Sequence, residues 1–429
     1  MLKSLHLSGV GPASEFGPVE FKDRLNFITG DNGLGKSFLL DVAWWVLTRT
    51  WARDAEIVPQ ETAAKPKISF AFTKVTSGDK EGEIFHKDGA WPQPKARPAI
   101  PGVVIYAGVD GSFSAWDPAR NYWSGQESEA EEKIRAFNFT PEQVWKGLQS
   151  EKGTRICNGL IHDWVSWQHS QGESPFVELI KVLDTLSPSG TEKLKPGKPC
   201  TIGFLDETEY PTLQMPYGQD VPLIHASAGM KRIAALAYLL VWTWNGHQRA
   251  CKKRKVKPAR EIIFLIDEIE CHLHPQWQRR IVPALLQVMQ AMTGENVSVQ
   301  LIVATHSPLV LASAEPEFRD AVDAAFNIQL LDREASIEQL PWAKQGDVVN
   351  WLVSDAFGLQ QARSVDAERV IQAAMAWMRK DYDILPADLA TREAIDKELR
   401  RLLAGHDDFW PLWVVADSGI TKNSRRGKA

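Results

Sequence analysis

The sequence predicts an α/β fold with a parallel-sheet core, and the indication comes from three apolar runs and one helix. Residues 25–29, 262–266 and 301–304 are short runs of strand-favouring side chains, each followed by a polar or glycine-rich turn. Runs this apolar are typical of strands buried on both faces, as in a parallel sheet. An apolar helical segment, residues 37–45, follows the first run after a short loop. We therefore expect a sheet with a ligand-binding edge at the carboxyl ends of its strands.

The loop between the first strand and its helix matches the pattern G-x-x-x-x-G-K-[ST] at every specified position. Its glycines let the backbone wrap around a phosphate, and successive amides and the helix start attract the anion. Lys36 supplies a charge for the β- and γ-phosphates, and Ser37 supplies a hydroxyl ligand for Mg²⁺. The sequence therefore predicts a nucleotide-binding loop made of Gly30, Asp31, Asn32, Gly33, Leu34, Gly35, Lys36 and Ser37.

Two acidic residues close the second apolar run, and a histidine follows the third. Asp267 and Glu268 should lie beside the glycine-rich loop, because the carboxyl ends of parallel strands meet at one edge of a sheet. Asp267 is then the second expected ligand of Mg²⁺, and Glu268 is the expected base for the attacking water. His306 is placed where its imidazole would contact the γ-phosphate.

Residues 223–244 predict a buried helix, because the segment is apolar almost all round. Ser227 is placed to cap this helix by accepting a backbone N–H that has no partner within the helix. Ser227 and the backbone of Gly229 are also a second anion-binding device, which would serve the nucleotide of another subunit. Both interpretations, a simple helix cap and a contact across a dimer, stay open at this point.

Composition limits the class of protein. The 429 residues allow two or three lobes and a large core, with 44% hydrophobic and 24% charged residues. The net charge of −5 means that any nucleic-acid contact must be local. No apolar run reaches the roughly 18 residues of a spanning helix, and the first seven residues lack a signal-peptide core. With four scattered cysteines, we expect a cytoplasmic protein without a membrane partner.

Periodicity and turn signals divide the chain into four segments. They are a β-rich first lobe, an inserted helical lobe, a second lobe with the acidic pair, and a helical C-terminal extension, at residues 1–126, 127–222, 223–344 and 345–429. Within the inserted lobe, helical spacing is expected at residues 129–137, 141–148 and 175–186.

Two clusters of charged or metal-binding residue types need separate interpretation. Residues 252–257 are a basic run on an expected loop, either a solvated connection or a contact for nucleic acid. Cys271, His272 and His274 lack a fourth ligand at metal spacing, and Pro275 indicates a turn, so we reject a zinc site there.

Together these motifs resemble the ABC-type P-loop ATPase heads of the SMC, RecF and OLD class. Residues 30–37 are similar to the Walker A motif, residues 262–268 to Walker B with its catalytic glutamate, and His306 to the switch histidine. Residues 226–230 resemble a degenerate signature motif that departs from LSGGQ at its leucine, first glycine and glutamine.

Further stretches carry the resemblance toward OLD-like ATPases. Residues 270–275 and 305–308 are similar to the E-x-H-L-H-P and T-H-S-P stretches of that group. Gln143 and Gln168 are the candidates for the Q-loop.

The resemblance implies an ATPase with bound ATP and Mg²⁺, in which Lys36, Glu268 and His306 have catalytic roles. It also implies a homodimer or higher oligomer that holds ATP between two heads. The sequence carries no heptad arms, no Toprim acids after apolar strands and no HNH cluster. Stand-alone OLD-like ATPases of prokaryotic anti-phage defence, such as those of Septu systems, are therefore the nearest family resemblance, and they imply a separate nuclease effector.

Two alternatives stay beside this hypothesis. One is a RecF-like maintenance or repair ATPase that binds DNA directly through residues 252–257 and the basic tail at 422–429. The other is a non-enzymatic scaffold that binds ATP as part of its structure.

Overall fold

The computed structural model describes residues 1–52, 56–73, 81–92, 102–121, 134–172, 174–190, 192–294 and 296–417. The chain divides between Trp351 and Leu352 into two compact units. The strands of the described residues are β1 (Leu2–Ser8), β2 (Glu15–Glu20), β3 (Leu25–Gly30), β4 (Lys67–Phe72), β5 (Glu81–Phe85), β6 (Val103–Ala107), β7 (Phe113–Trp116), β8 (Phe137–Phe139), β9 (Leu148–Gln149), β10 (Arg155–Cys157), β11 (Lys195–Pro196), β12 (Thr212–Gln214), β13 (Asp220–Pro222), β14 (Glu261–Ile266), β15 (Ser298–Ala304), β16 (Asp323–Leu331) and β17 (Glu334–Leu340).

The helices cover both units. They are α1 (Lys36–Thr48), α2 (Pro141–Lys146), α3 (Leu160–His169), α4 (Pro175–Leu186), α5 (Ala228–Arg254), α6 (Pro275–Gln278), α7 (Ile281–Thr293), α8 (Pro308–Ala314), α9 (Val348–Leu352), α10 (Val365–Arg379), α11 (Arg392–Leu402) and α12 (Phe409–Asp417). Single 3-10 turns occur at Leu223–His225, Tyr382–Ile384 and Ala387–Leu389.

An eight-stranded sheet forms the centre of the first unit, in the order β17-β16-β3-β15-β14-β6-β7-β8. Its five middle strands, from β16 to β6, run parallel. Antiparallel strands extend it at both ends. The three apolar runs of the sequence are β3, β14 and β15, which lie side by side. The predicted α/β fold with a parallel-sheet core is therefore confirmed.

A second sheet makes the first lobe β-rich, as expected. It is antiparallel, with the order β2-β1-β4-β5. Both sheets share a core with α1, whose residues from Leu39 to Leu47 are almost all buried. This burial explains why α1 is apolar nearly all round, and it fixes the helix start relative to β3.

The inserted lobe is less helical than the sequence suggested. The helices predicted at 141–148 and 175–186 are present as α2 and α4. The helix predicted at 129–137 is not formed in the described part of that range, where residues 137–139 are β8, the last strand of the large sheet. Residues 129–133 lie outside the described residues. The alternating Phe137-Asn138-Phe139 buries both rings, which a strand achieves by its period of two. Small sheets, β9-β10 and β11-β12-β13, complete the lobe.

Helix α5 is longer than predicted and runs for 27 residues. Ser227 caps it by accepting a hydrogen bond from the Met230 amide, as expected. The basic run was placed on a loop, which is wrong in its first half: the helix continues to Arg254 and ends at Lys255, with φ of 56°. Lysine and arginine favour helices, and no proline interrupts the chain between the start of α5 and Pro258. None of the described helices combines the length and apolarity needed to cross a membrane.

The second unit is helical, as the sequence predicted, and has its own core. The buried faces of α10, α11 and α12 supply most of that core, including Ile371, Leu399 and Trp413. The compact unit begins at Leu352, whereas the sequence placed the start of the extension at residue 345. The other lobe boundaries, at 126/127 and 222/223, stay predictions.

Candidate nucleotide-binding and catalytic site

The glycine-rich loop leaves β3 in a conformation that only glycine adopts easily. Gly30 has φ of 131°, and a Cβ there would lie 2.2 Å from the carbonyl oxygen of Ile328 on β16. Gly35 has φ of 102° and precedes the first residue of α1. Gly33 also has positive φ, and a Cβ there would meet open space. The loop therefore folds back over the strand end and leads directly into the helix.

Lys36 is almost fully buried at the start of α1. Its Nζ donates hydrogen bonds to the carbonyl oxygens of Gly30 and Asp31, each at 2.8 Å. Burial lowers the pKa of Lys36 below its ordinary value, and the charges of Glu268 and Asp267 oppose that shift most strongly. The ammonium is thus held over the loop and within the electrostatic range of the acidic pair.

The three predicted strand ends meet at one edge. In the register of the sheet, Ile266 pairs with Val303 and Ala304 pairs with Ile28, so the segments after β14, β15 and β3 emerge together. The Nε2 of His306 lies 3.6 Å from the Oε1 of Glu268. Burial and the nearby charge of Lys36 lower the pKa of His306, while Glu268 acts in the opposite direction. This arrangement brings Lys36, Glu268 and His306 into one neighbourhood.

Asp267 and Ser37 are the residues that could hold a metal ion. Asp267 is fully buried, and its backbone amide donates to the carbonyl of Ala107 on the neighbouring strand. Ser37 is the second residue of α1, directly after Lys36. A carboxylate and a hydroxyl are oxygen donors of the kind Mg²⁺ prefers, and Mg²⁺ commonly takes its other ligands from phosphate and water. The donor chemistry therefore fits Mg²⁺.

Glu270 orients the histidine loop, a role that the sequence analysis did not assign. Its Oε2 accepts a hydrogen bond from the Thr305 hydroxyl at 2.8 Å, and its Oε1 accepts one from the backbone amide of His306. Burial raises the pKa of Glu270 above its ordinary value, although both hydrogen bonds favour the ionised form. In the sequence, the only indication of this residue was the resemblance of residues 270–275 to the E-x-H-L-H-P stretch.

Arg232 is a second residue that the sequence analysis missed. It lies on the second turn of α5, and its guanidinium donates to main-chain carbonyls at the ends of two strands. The acceptors are the carbonyls of Val109 at 2.7 Å, Glu268 at 3.3 Å, and Gly108 and Asp267 at 3.4 Å. Arg232 therefore ties the start of α5 to the backbone of the acidic pair. A main-chain partner leaves no sequence pattern, so no signal could have identified it.

The residues that resemble a signature motif lie at the start of α5 and make contacts within their own chain. Ser227 is exposed at the start of α5. Gly229 is buried, and a Cβ there would lie 2.8 Å from the carbonyl oxygen of His272, in the segment after β14. Close packing inside the chain is therefore one physical reason for a glycine at this position. The contact of these residues with a nucleotide stays a prediction.

Other residues singled out from the sequence have contacts of their own. His274 caps α6 by accepting a hydrogen bond from the Gln276 amide. Gln143 forms a capping box with Thr140, and Gln168 donates to the carbonyl of Gly197. These bonds are local to the inserted lobe. The loop after β6, the strand beside β14, contains no glutamine.

One family model matches the chain. It is described as an AAA domain, putative AbiEii toxin, Type IV TA system, and it matches residues 116–312. The matched segment includes α5, Asp267, Glu268 and His306, and it begins after the P-loop.

Similar proteins match over short segments. The Retron Ec83 probable ATPase of Escherichia coli is 32% identical over 99 residues, which are 23% of this chain and 15% of that protein. The Septu protein PtuA of Bacillus thuringiensis is 33% identical over 108 residues, 24% of each chain. The chain thus spans less than a quarter of the length of these relatives.

The SMC head domain from Thermotoga maritima aligns with 80% of this chain and 99% of its own, at 15% identity and a TM-score of 0.37. Over the segments that match the family model and the two relatives, the chain is similar to ATPases of the defence-system class, the class that its motifs indicated.

Proposed function

We propose that the protein is an ATP-hydrolysing switch. The observation that carries this proposal is the convergence of Lys36, Glu268 and His306 at the carboxyl edge of one parallel sheet. A phosphate-binding loop beside a water-activating carboxylate and an imidazole is the arrangement needed for hydrolysis of a nucleoside triphosphate.

Each residue has a stated task in this proposal. Lys36 gives up its hydrogen bonds to the two loop carbonyls and donates instead to oxygens of the β- and γ-phosphates. The carboxylate of Glu268, which is about one third exposed, orients the attacking water and accepts its proton. His306 is neutral near pH 7, because its pKa is lowered. Its imidazole donates a hydrogen bond to, or accepts one from, the group at the γ-phosphate position. Ser37 and Asp267 would hold Mg²⁺, which would supply positive charge to neutralise the phosphates.

A pair of variants separates binding from hydrolysis. Glu268→Gln keeps the size and hydrogen-bonding of the side chain but removes the base, so we expect kcat to fall at least about 100-fold while ATP still binds. Lys36→Ala should lose ATP binding itself. Phosphate release and binding of a fluorescent ATP analogue measure the two properties. Hydrolysis by Glu268→Gln at the parental rate would show that Glu268 is not the base. Tight ATP binding without turnover by the parent chain would favour the scaffold alternative.

We further propose that ATP joins two copies of the protein, with Ser227 of one head facing the γ-phosphate held by the other. Its exposure at a helix start supports this arrangement, since backbone amides there attract anions. Ser227→Asp keeps a good helix cap but adds a negative charge opposite the phosphates, whereas Ser227→Asn keeps the cap without the charge. Both substitutions are made in the Glu268→Gln background.

The masses of these variants with ATP, from light scattering after size exclusion, provide the test. We expect a dimer for Glu268→Gln and for its Ser227→Asn derivative, and a monomer for the Ser227→Asp derivative. A dimer in all three would exclude Ser227 from the interface. A monomer in all three would exclude dimerisation driven by ATP.

The proposed output of the cycle is control of a partner effector, a nuclease in anti-phage defence. Similarity to the Septu protein PtuA and to a retron ATPase supports this part of the proposal. Co-expression with a nuclease encoded beside this gene should protect cells against phage, and Lys36→Ala should remove the protection. Protection that survives Lys36→Ala would show that the nucleotide does not control the effector.

Direct binding of DNA is the second candidate, and one observation favours it. The end of α5 and the following loop expose a cluster of cations, namely Lys252, Lys253, Lys255, Lys257 and Arg260. Each phosphate contact by a cation contributes about −0.9 to the slope of log affinity against log salt. If this cluster binds duplex DNA, changing it to glutamine should flatten that slope by several units. An unchanged slope would exclude a DNA contact at this surface.

A further inference from the structure

A cavity of about 400 Å³ lies on the side of α5 that faces the end of β14. Its walls come from α2, α5, the ends of β6 and β14, and the start of α7, so residues far apart in sequence build it together. Most of the walls are apolar, with Trp145 on one side and Leu236, Leu239 and Ile269 on others. A volume of this size, lined mainly by apolar side chains, is typical of sites for small organic molecules.

The polar part of the lining is predominantly cationic. Lys231 and Arg232 contribute two positive charges from adjacent positions of α5, and His272 also belongs to the lining. Among the described residues of the lining, Asp110 is the one carboxylate, and it accepts hydrogen bonds from the amide and hydroxyl of Ser112. The lining therefore combines an apolar body with an excess of positive charge at one end.

We propose that this cavity binds a small amphipathic organic anion, with its apolar part against α2 and α5 and its carboxylate, sulfonate or phosphate head at Lys231 and Arg232. The guanidinium of Arg232 also donates to the carbonyl of Glu268. An anionic head competes with that carbonyl for the same donors, so occupancy lowers ATP turnover. This regulatory part rests on the proposed function, whereas binding itself does not.

The probe for binding is 8-anilinonaphthalene-1-sulfonate, which has fused apolar rings and one sulfonate. Its fluorescence is titrated against the full chain without nucleotide. Ala235→Phe fills the cavity from a half-buried lining position, and Lys231→Glu reverses one charge of the head site. We expect the first variant to abolish saturable binding and the second to raise Kd at least about tenfold.

Two controls separate the cavity from other surfaces that could attract the dye. Lys181→Glu makes the same charge change on the exposed face of α4, and Phe204→Ser removes a fully exposed ring elsewhere in the inserted lobe. Both should bind the dye with parental Kd, and circular dichroism should show every variant folded. Parental binding by folded Ala235→Phe would overturn the proposed site.

The regulatory part has its own measurement. At a saturating dye concentration, kcat for ATP should fall several-fold in the parent chain and stay unchanged in Ala235→Phe. Dye binding without any effect on turnover would overturn the link through Arg232 and leave the site. A parent chain that binds the dye but never hydrolyses ATP would contradict the proposed function instead.

Discussion

The Nε2 of His306 lies 3.6 Å from the Oε1 of Glu268, although the two residues follow different strands of the sheet. Their separation is set by the pairing of β14 with β15, since each residue follows the last paired positions of its strand. At this distance both groups can contact the same water or phosphate oxygen. Hydrolysis should therefore depend on the charge of His306, which can be varied by changing the pH.

The pH dependence of hydrolysis should report the protonation of His306. Because the pKa of His306 is lowered, less than half of the imidazole is protonated at the ordinary histidine pKa of about 6.5. We therefore expect kcat to fall on the acidic side, with the midpoint of that fall below about pH 6.5. His306→Gln cannot be protonated, so its kcat should be lower by about 10- to 100-fold and should lack the acidic fall. The same acidic fall in both proteins would assign it to another group.

Glu270 should make stability depend on pH. Burial raises its pKa in the folded protein, so the unfolded chain ionises this carboxyl first. The resulting loss of stability is absent below the unfolded pKa of about 4.3 and grows as pH rises toward the folded pKa. Glu270→Gln removes that loss, so the Tm of the variant minus the Tm of the parent should increase as the pH rises above about 4.3 and level off above the folded pKa.

Differential scanning fluorimetry without nucleotide gives both Tm values for this comparison. Glu270→Ala is the companion variant, and it leaves the amide of His306 without its acceptor at a cost of about 1–3 kcal/mol. A difference between Glu270→Gln and the parent that is constant with pH would contradict a raised pKa.

Arg232→Lys tests how far the backbone of the acidic pair depends on α5. Lysine is a single point of charge and cannot reach carbonyls on two strand ends with a planar fork. Loss of one or two charged hydrogen bonds costs about 1.5–3 kcal/mol each. Because these bonds hold the backbone of the acidic pair, we expect kcat to fall about tenfold or more with little change in ATP affinity. Arg155→Lys, on the exposed surface of β10, is the matched control and should hydrolyse ATP as the parent does. Equal rates in the two variants would make the Arg232 bonds dispensable.

Gly229→Ala separates packing inside the chain from a contact with a second subunit. The added Cβ would lie 2.8 Å from the carbonyl of His272, and overpacking of this kind typically costs about 1–3 kcal/mol. We therefore expect a lower Tm for the nucleotide-free protein. An unchanged Tm combined with a lost ATP-dependent dimer would instead place Gly229 wholly in the interface between subunits.

Local sequence was sufficient to predict that the segments after three strands lie together at one edge of the sheet. The P-loop, Asp267 and His306 each stand next to an apolar run, and a parallel sheet brings such strand ends together. Arg232 and Glu270 could not be predicted in this way. Arg232 donates to main-chain carbonyls, and Glu270 accepts from a main-chain amide and the Thr305 hydroxyl, groups whose positions depend on the completed fold.

The errors in secondary structure have a similar origin. Residues 137–139 form a strand because β7 offers an edge to pair with, and that edge lies more than twenty residues earlier in the chain. Charged residues just before this segment gave a helical pattern, whereas residues 137–139 themselves pair with β7. The basic run was assigned to a loop from its charge alone, although its side chains are compatible with the last turn of a helix.

Helix α5 has one end fastened to the carbonyls of Asp267 and Glu268 through Arg232 and the other end surrounded by exposed lysines. At 27 residues it is a rod about 40 Å long. A partner that bound the distant cations and tilted this helix would therefore move Arg232 and, through its hydrogen bonds, the backbone of Asp267 and Glu268.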